Sequence, residues 1–174
     1  MDFYLEEVIN LDDVVYEGKT LRQIFSSNLM ATAPFINGSN AGNITNSEGI
    51  VSADKITIST TYSYLRQTVP TPSRLFARIV HRCSAPNYTF RLGTTPTVVS
   101  QTALKPNVWN KSTYIGNLDT TGTGTRYEFR ELGAEQQTVE IDLNNSIVVD
   151  TSMFSVQPTV EQMDNWFMQY KDLI

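Results

Sequence analysis

The sequence predicts a mainly β protein: a jelly-roll β-sandwich domain preceded by a short N-terminal arm with a helix and closed by a C-terminal amphipathic helix. Three observations predict it. From residue 44 onward the chain runs in short segments rich in Thr, Val, Ile and aromatic residues, broken about every ten residues by Gly, Pro or Asn, which is the spacing of an antiparallel sandwich. Apolar and polar residues alternate in Lys55-Ile56-Thr57-Ile58-Ser59 and in Arg74-Leu75-Phe76-Ala77-Arg78-Ile79-Val80, so one face of each strand should be buried and the other solvated. After Pro158 the period changes, with Val160, Met163, Trp166, Phe167, Tyr170 and Leu173 recurring at three and four residues as on one side of a helix.

The elements follow in order. Residues 1 to 18 hold six acids (Asp2, Glu6, Glu7, Asp12, Asp13, Glu17) and no base, yet are too apolar for a disordered acidic tail, so they read as an ordered arm. Leu21, Ile24, Phe25 and Leu29 then fall at helical spacing over Thr20 to Met30, with Thr20 as cap and Gln23 completing a capping box. Asn37-Gly38-Ser39-Asn40-Ala41-Gly42-Asn43 reads as a loop, and the boundary between an arm of residues 1–32 and a jelly-roll domain of residues 33–174 is placed near residue 33. Eight strands are expected: Gly49 to Val51, Lys55 to Thr61, Tyr64 to Val69, Arg74 to Arg82, Tyr88 to Gly93, Val108 to Ile115, Thr125 to Glu131, and Val139 to Asp150 with a break at Asn144-Asn145. The Thr-Gly repeat from residue 121 to 125 reads as a hairpin tip, since a phosphate-cradling loop needs a helix after it. The closing helix spans residues 159–173, Thr159 and Gln162 forming its capping box, with Asp164 and Lys171 off the apolar stripe.

Composition excludes several classes of function. The chain has 174 residues, 13 Lys plus Arg against 18 Asp plus Glu, one Cys and one His. Cys83 alone allows no internal disulfide, and with His81 as the only histidine there is no Cys/His cluster for zinc and no credible nucleophilic triad. No cofactor or metal is expected. No run of Lys or Arg exceeds two residues, so a nucleic-acid footprint is missing. Apolar runs fall far short of the ~20 residues that span a bilayer, and Met1-Asp2-Phe3 lacks the basic start of a secretory signal, so a soluble product with no membrane partner and no cleaved leader is expected.

The segment Val148-Val149-Asp150-Thr151-Ser152-Met153-Phe154-Ser155-Val156-Gln157-Pro158-Thr159-Val160-Glu161-Gln162-Met163-Asp164 resembles a tail common in bacteriophage structural proteins: a strand, Asp-Leu-Thr, an aromatic, a glycine-bearing turn, then Glu-Pro-Thr and an acidic helix. In that family the tail closes a carbohydrate-binding-module-like jelly roll. Arg74 to Gly93 is similar to its paired central strands, and Asn107 to Ile115 to its strand with a Trp and a following Ser, so the resemblance covers residues 44 to 174. The chain departs from it at Phe154-Ser155-Val156-Gln157, where the family has Phe-Gly-x-Gly-x-Glu. The resemblance implies a non-enzymatic virion component of a tail fibre, tail tip, baseplate or other surface appendage, assembled in the bacterial host cytoplasm, with glycan-binding capacity in some members.

Two sets of residues carry the functional expectations. Phe3, Tyr4, Leu5, Val8, Ile9, Leu11, Val14 and Tyr16 would hold the arm on other virion proteins, and a homo-oligomer, for instance a trimer about a threefold axis, would be one way to bury them. A host-glycan-binding module is the alternative, with Tyr62, Tyr64, Arg66, Tyr88 and Tyr114 as the rings and polar group that would meet a sugar. Trp109 and Trp166 read as core, His81 as strand surface, and Cys83 as a small buried apolar residue or an inert surface thiol. A glycan hydrolase is the least favoured reading, resting on Glu128 with Glu131 or Glu140 with Asp142, because alternating acids on a strand are ordinarily solvated.

Overall fold

A computed structural model describes residues 11–12, 14–32, 34–37, 41–55, 62–67, 74–93, 99–117 and 125–173. In chain order the elements are β1 (Val15–Tyr16), β2 (Lys19–Thr20), α1 (Leu21–Phe25), α2 (Leu29–Thr32), β3 (Phe35–Asn37), β4 (Ala41–Ser47), β5 (Ile50–Lys55), β6 (Tyr62–Gln67), β7 (Leu75–Cys83), β8 (Tyr88–Leu92), β9 (Val99–Leu104), β10 (Asn110–Gly116), β11 (Thr125–Arg130), β12 (Thr138–Asp150) and α3 (Val160–Tyr170), followed by a 3-10 turn at Lys171–Leu173.

Two antiparallel sheets form the sandwich, the first in the order β10-β7-β12-β5-β4 and the second in the order β3-β6-β11-β8-β9. The chain passes repeatedly from one sheet to the other, as a jelly roll requires, and the inward-facing residues of both sheets make the main core. Leu75, Ala77, Ile79, Val139 and Ile141 of the first sheet are buried against Leu65, Phe90, Tyr127 and Phe129 of the second. A second apolar cluster lies on the other side of the first sheet. There Phe76, Ile147 and Val149 meet Met163, Phe167 and Tyr170 of α3 together with Leu11, Leu21, Ile24 and Phe25. The boundary expected near residue 33 therefore runs through a shared core, and Leu11, expected on an attachment surface, is only 1% exposed. Phe3, Tyr4, Leu5, Val8 and Ile9 fall outside the described residues.

Both capping boxes form. Thr20 Oγ1 accepts from Gln23 N at 3.2 Å while Gln23 Oε1 receives Thr20 N at 3.0 Å, and Thr159 and Gln162 repeat the arrangement at 3.1 and 2.9 Å. The first expected helix is nevertheless two. Ser26 and Ser27 turn their hydroxyls back to the carbonyls of Gln23 and Ile24, and Asn28 Oδ1 takes Met30 N, so side chains supply the bonds that a continuous helix would have made.

Several strand expectations shift. β3, β4 and β9 went unforeseen: the expected loop over Asn37 to Asn43 includes the start of β4, whose Asn, Thr and Ser residues lack an apolar period but pair with β5 from Ser47↔Ile50 to Ala41↔Lys55 across a bulge. A two-residue turn at Glu48-Gly49, φ 52° and 80°, joins them, as Glu17-Gly18 joins β1 to β2 with φ 46° and 75°. Of the strand expected over Lys55 to Thr61, Lys55 ends β5 and residues 56–61 lie outside the description. Residues 121–124 of the Thr-Gly repeat, expected as a hairpin tip, lie outside the described residues; β10 before them belongs to the first sheet and β11 after them to the second. β7 is buried on both faces, not one, since α3 covers the side that would otherwise be wet. The expected break in β12 is present as a register shift between Asp142 and Ile147.

Candidate functional site

Alternation along the second sheet sorts its side chains. On β6, β11 and β8 the fully buried Leu65, Gln67, Tyr127, Phe129, Phe90 and Leu92 point into the sandwich, and Gln67 is held by a 2.8 Å bond from the Tyr127 hydroxyl and by its own donation to Met30 O. The positions between them face away from the core and are half-buried: Arg66 on β6, Arg126, Glu128 and Arg130 on β11, and Arg91 on β8. Their register is specific. Arg66 stands opposite Arg126, Tyr64 opposite Glu128 and Tyr62 opposite Arg130, while on the other side of β11 Glu128 faces Arg91 and Arg130 faces Thr89. Among the described residues the main helix contacts are with β7, β10 and β12 of the first sheet, and α2 also meets the inward side of β6 through Met30.

Charges on this face are unevenly matched. Arg130 donates to Glu128 at 3.3 Å, and Glu131 accepts from the Thr89 hydroxyl. Arg66 has Ile36 on one side and Arg126 on the other, so no acid occupies a neighbouring register position. The Nε atoms of Arg66 and Arg91 are buried and have no hydrogen-bond partner among the described residues.

Of the residues expected to meet a sugar, Tyr62, Tyr64 and Arg66 fall together on β6 in this register. Tyr88 does not join them. It lies on the inward side of β8, fully buried, its hydroxyl near His81 Nδ1 at 3.3 Å and accepting from Asn110 Nδ2 at 3.1 Å, and burial pushes its phenol up to about 12. Tyr114 is on the other sheet, packed against the main core, with its hydroxyl donating to Asn117 O at 3.0 Å. Arg91, Arg126 and Arg130 were not singled out in advance. Their signal is an Arg-x-Glu-x-Arg alternation from residue 126 to 130 and a lone Arg91 between buried Phe90 and Leu92, readable only once the strands are known to be neighbours.

Three other expectations need correction. His81 is no surface residue: it is fully buried, stacked on Phe90 with ring centroids 3.6 Å apart, and desolvation drives its imidazole down to about 3 against a smaller opposing hydrogen bond from Gln101. Trp109 is 36% exposed, not core, with the Arg82 guanidinium 4.3 Å from its ring centroid and Arg82 itself paired to Glu140. Asp164 points at the sheet, bonded to Arg78 and Lys111, instead of lying off the packed side of α3. Cys83 is buried, the first of its two expected settings. Each acid considered for a carboxylate pair has its own partner: Arg130 for Glu128, Thr89 for Glu131, Arg82 for Glu140, and Asn144 and Asn145 for Asp142.

At the arm, Val14 and Tyr16 pack on the second core, and Tyr16 lies 5.3 Å from both Phe154 and Trp166. Glu17 accepts from Ser155 N at 2.7 Å, Ser155 Oγ at 2.8 Å and Val156 N at 3.0 Å, and the Ser155 hydroxyl is the largest cause of its lowered pKa. The turn that departs from the glycine-bearing pattern is held by the Gln157 amide, which donates to Thr151 O and Phe154 O at 2.9 and 2.8 Å.

The chain is thus a jelly-roll β-sandwich protein. No protein-family model matches it, and no curated protein matches it. Among solved structures, a family 4 carbohydrate-binding module is similar at 14% identity and a TM-score of 0.45, over 66% of this chain and 92% of that one. A variant of a family 29 carbohydrate-binding module complexed with cellulohexaose is similar at 11% identity and a TM-score of 0.38, over 72% and 98% of the two chains. A further family 29 variant reaches 12% identity and a TM-score of 0.43, over 78% and 95%.

Proposed function

We propose that the chain is a non-catalytic glycan-binding module whose site is the outward face of β6, β11 and β8. The observation that carries this reading is the register that sets Tyr62, Tyr64 and Arg66 beside Arg130, Glu128 and Arg126 on strands whose intervening residues point into the main core. Two ring-bearing positions of β6 lie beside charged positions of β11 there, and that mixture suits a ligand with apolar ring faces and polar edges. A glycan array followed by titration calorimetry on the full chain tests it: binding that is lost in Tyr64→Ala and Arg66→Ala supports the reading, and no binding at millimolar ligand counts against it.

A second reading, a bacteriophage particle component held by its N-terminal segment, is favoured by a different observation. Val15, Met153 and Val156 are exposed at 57%, 41% and 64% around the junction of Glu17 with Ser155, close in sequence to the acidic N-terminal segment or to its partner Ser155. On this reading the module sits on the virion, and oligomerisation buries that surface. Mass spectrometry of particles purified from a lysate decides it, because particles lacking the polypeptide would end the idea.

A further inference from the structure

We infer that the outward face of β6, β11 and β8 takes an acidic polysaccharide, a chain of uronic acid units whose carboxylates are received by Arg66 and Arg91. This rests on the glycan-binding reading and adds the chemical class of the ligand. In a chain of net charge −5, four arginines gather on one sheet face with Glu128 among them. Arg66 faces Arg126 across the strands, with Ile36 as its only other strand neighbour, so an anion received at Arg66 would sit beside a second guanidinium. The guanidinium group suits the task, since its planar fork matches a carboxylate with two parallel bonds, and the Nε donors of Arg66 and Arg91 have no hydrogen-bond partner among the described residues.

The register also selects among anionic chains. Along β6 and β11 the cross-strand pairs run Tyr62 with Arg130, Tyr64 with Glu128 and Arg66 with Arg126, so ring-bearing positions accompany charged ones. A polyuronate presents a sugar ring and an acid in every unit. A glycerol phosphate polymer presents the charge without the ring, and a neutral glucan presents the ring without the charge. Glu128 keeps the face from being uniformly basic, which disfavours a densely charged polymer such as a polynucleotide.

Affinity electrophoresis and calorimetry on the full chain, with polygalacturonate, a glycerol phosphate teichoic acid, a soluble neutral glucan and single-stranded DNA as probes, test the proposal. Polygalacturonate should bind best and weaken as salt is raised from about 50 to about 500 mM. Arg66→Gln and Arg91→Gln should each cost about tenfold in affinity, the loss of one charge-assisted contact, with melting temperatures unchanged to show that both variants fold. Tight, salt-independent binding of the neutral glucan would overturn the acidic-ligand inference and leave the glycan-binding reading standing. Preference for the teichoic acid would overturn the assignment to uronic acids. Binding of DNA alone, or of none of the four, would overturn both.

Discussion

Arg78 on β7 and Asp164 on α3, 86 positions apart in the chain, are joined by a 2.7 Å bond from Nε to Oδ1, with their side chains only 7% and 14% exposed. The same guanidinium donates to Asn145 O at 2.6 Å and lies 5.5 Å from the ring centroid of Phe167, and Asp164 also receives Lys111. The pair fastens the closing helix to the sheet by charge as well as by apolar contact. Removing one partner leaves the other charged and nearly out of water, so Asp164→Ala should destabilise the fold by about 3 kcal/mol in urea denaturation. Arg78→Met combined with Asp164→Ala should cost less than either additive expectation, and a double-mutant cycle with no coupling would show that the bond contributes nothing.

Apolar packing of α3 rests on Phe167 more than on its neighbour. Phe167 is 4% exposed beside Phe25 at a centroid distance of 6.2 Å, whereas Trp166 is only partly buried against Tyr16. Phe167→Ala should cost about 3 to 5 kcal/mol and Trp166→Ala distinctly less. Equal losses in the two variants would mean that the tryptophan ring is as deeply packed as the phenylalanine.

His81 makes stability depend on pH in a stated direction. Its folded pKa of about 3 lies below the ordinary 6.5 because the imidazole is buried on Phe90, so in that interval the unfolded chain binds a proton that the folded chain does not. Stability is therefore full above about pH 6.5 and falls as pH drops toward 3, by up to roughly 1.4 kcal/mol per unit. Comparing pH titrations of stability for the native chain and His81→Gln isolates this contribution from the carboxylates. Parallel curves between pH 6.5 and 3 would show that the ring is protonated in the folded state.

Gly49 occupies φ +80° in the turn from β4 to β5, and a Cβ there would come within 2.4 Å of the Asn144 side chain, whose Nδ2 donates to Glu48 O at 2.8 Å. Gly49→Ala should lower stability by about 1 to 2 kcal/mol from the backbone alone. Gly18, at φ +75° with open space around it, isolates the backbone effect, so Gly18→Ala should be the milder change in thermal melts.

Deleting residues 1–32 removes Leu11, Leu21, Ile24 and Phe25 from the second core and exposes Phe76, Ile147 and Val149. Burial of four such side chains contributes about 6 to 12 kcal/mol, comparable with the whole stability of a domain this size. The shortened chain should lose its cooperative melt and bind a hydrophobic dye. A sharp transition near the native temperature would show that the sandwich and α3 close without the N-terminal segment.

What the sequence determined by itself is what depends on residues within a few positions of one another. Thr20 with Gln23 and Thr159 with Gln162 marked two helix starts because a capping box is closed within one turn, and the β7, β8, β11 and β12 segments were legible because strand character is written in local apolar and β-branched content. The Glu-Gly turns at 17–18 and 48–49 were equally local, and would have revealed β4 had they been read as two-residue hairpin loops. Tertiary structure alone decided the rest. β4 is a strand because β5 offers it hydrogen-bond partners, not because its Asn, Thr and Ser residues favour one. His81 went inward because strand phase and the packing of the opposite sheet, not residue type, set which side of β7 is covered, while Trp109, one residue before β10, lies at the surface against Arg82. The arginine face exists only because β11 lies between β6 and β8, bringing Arg66, Arg126 and Arg91 together from separate segments. Long-range strand order follows from how the whole apolar surface is buried at once, and that competition is not written in any single stretch of the chain.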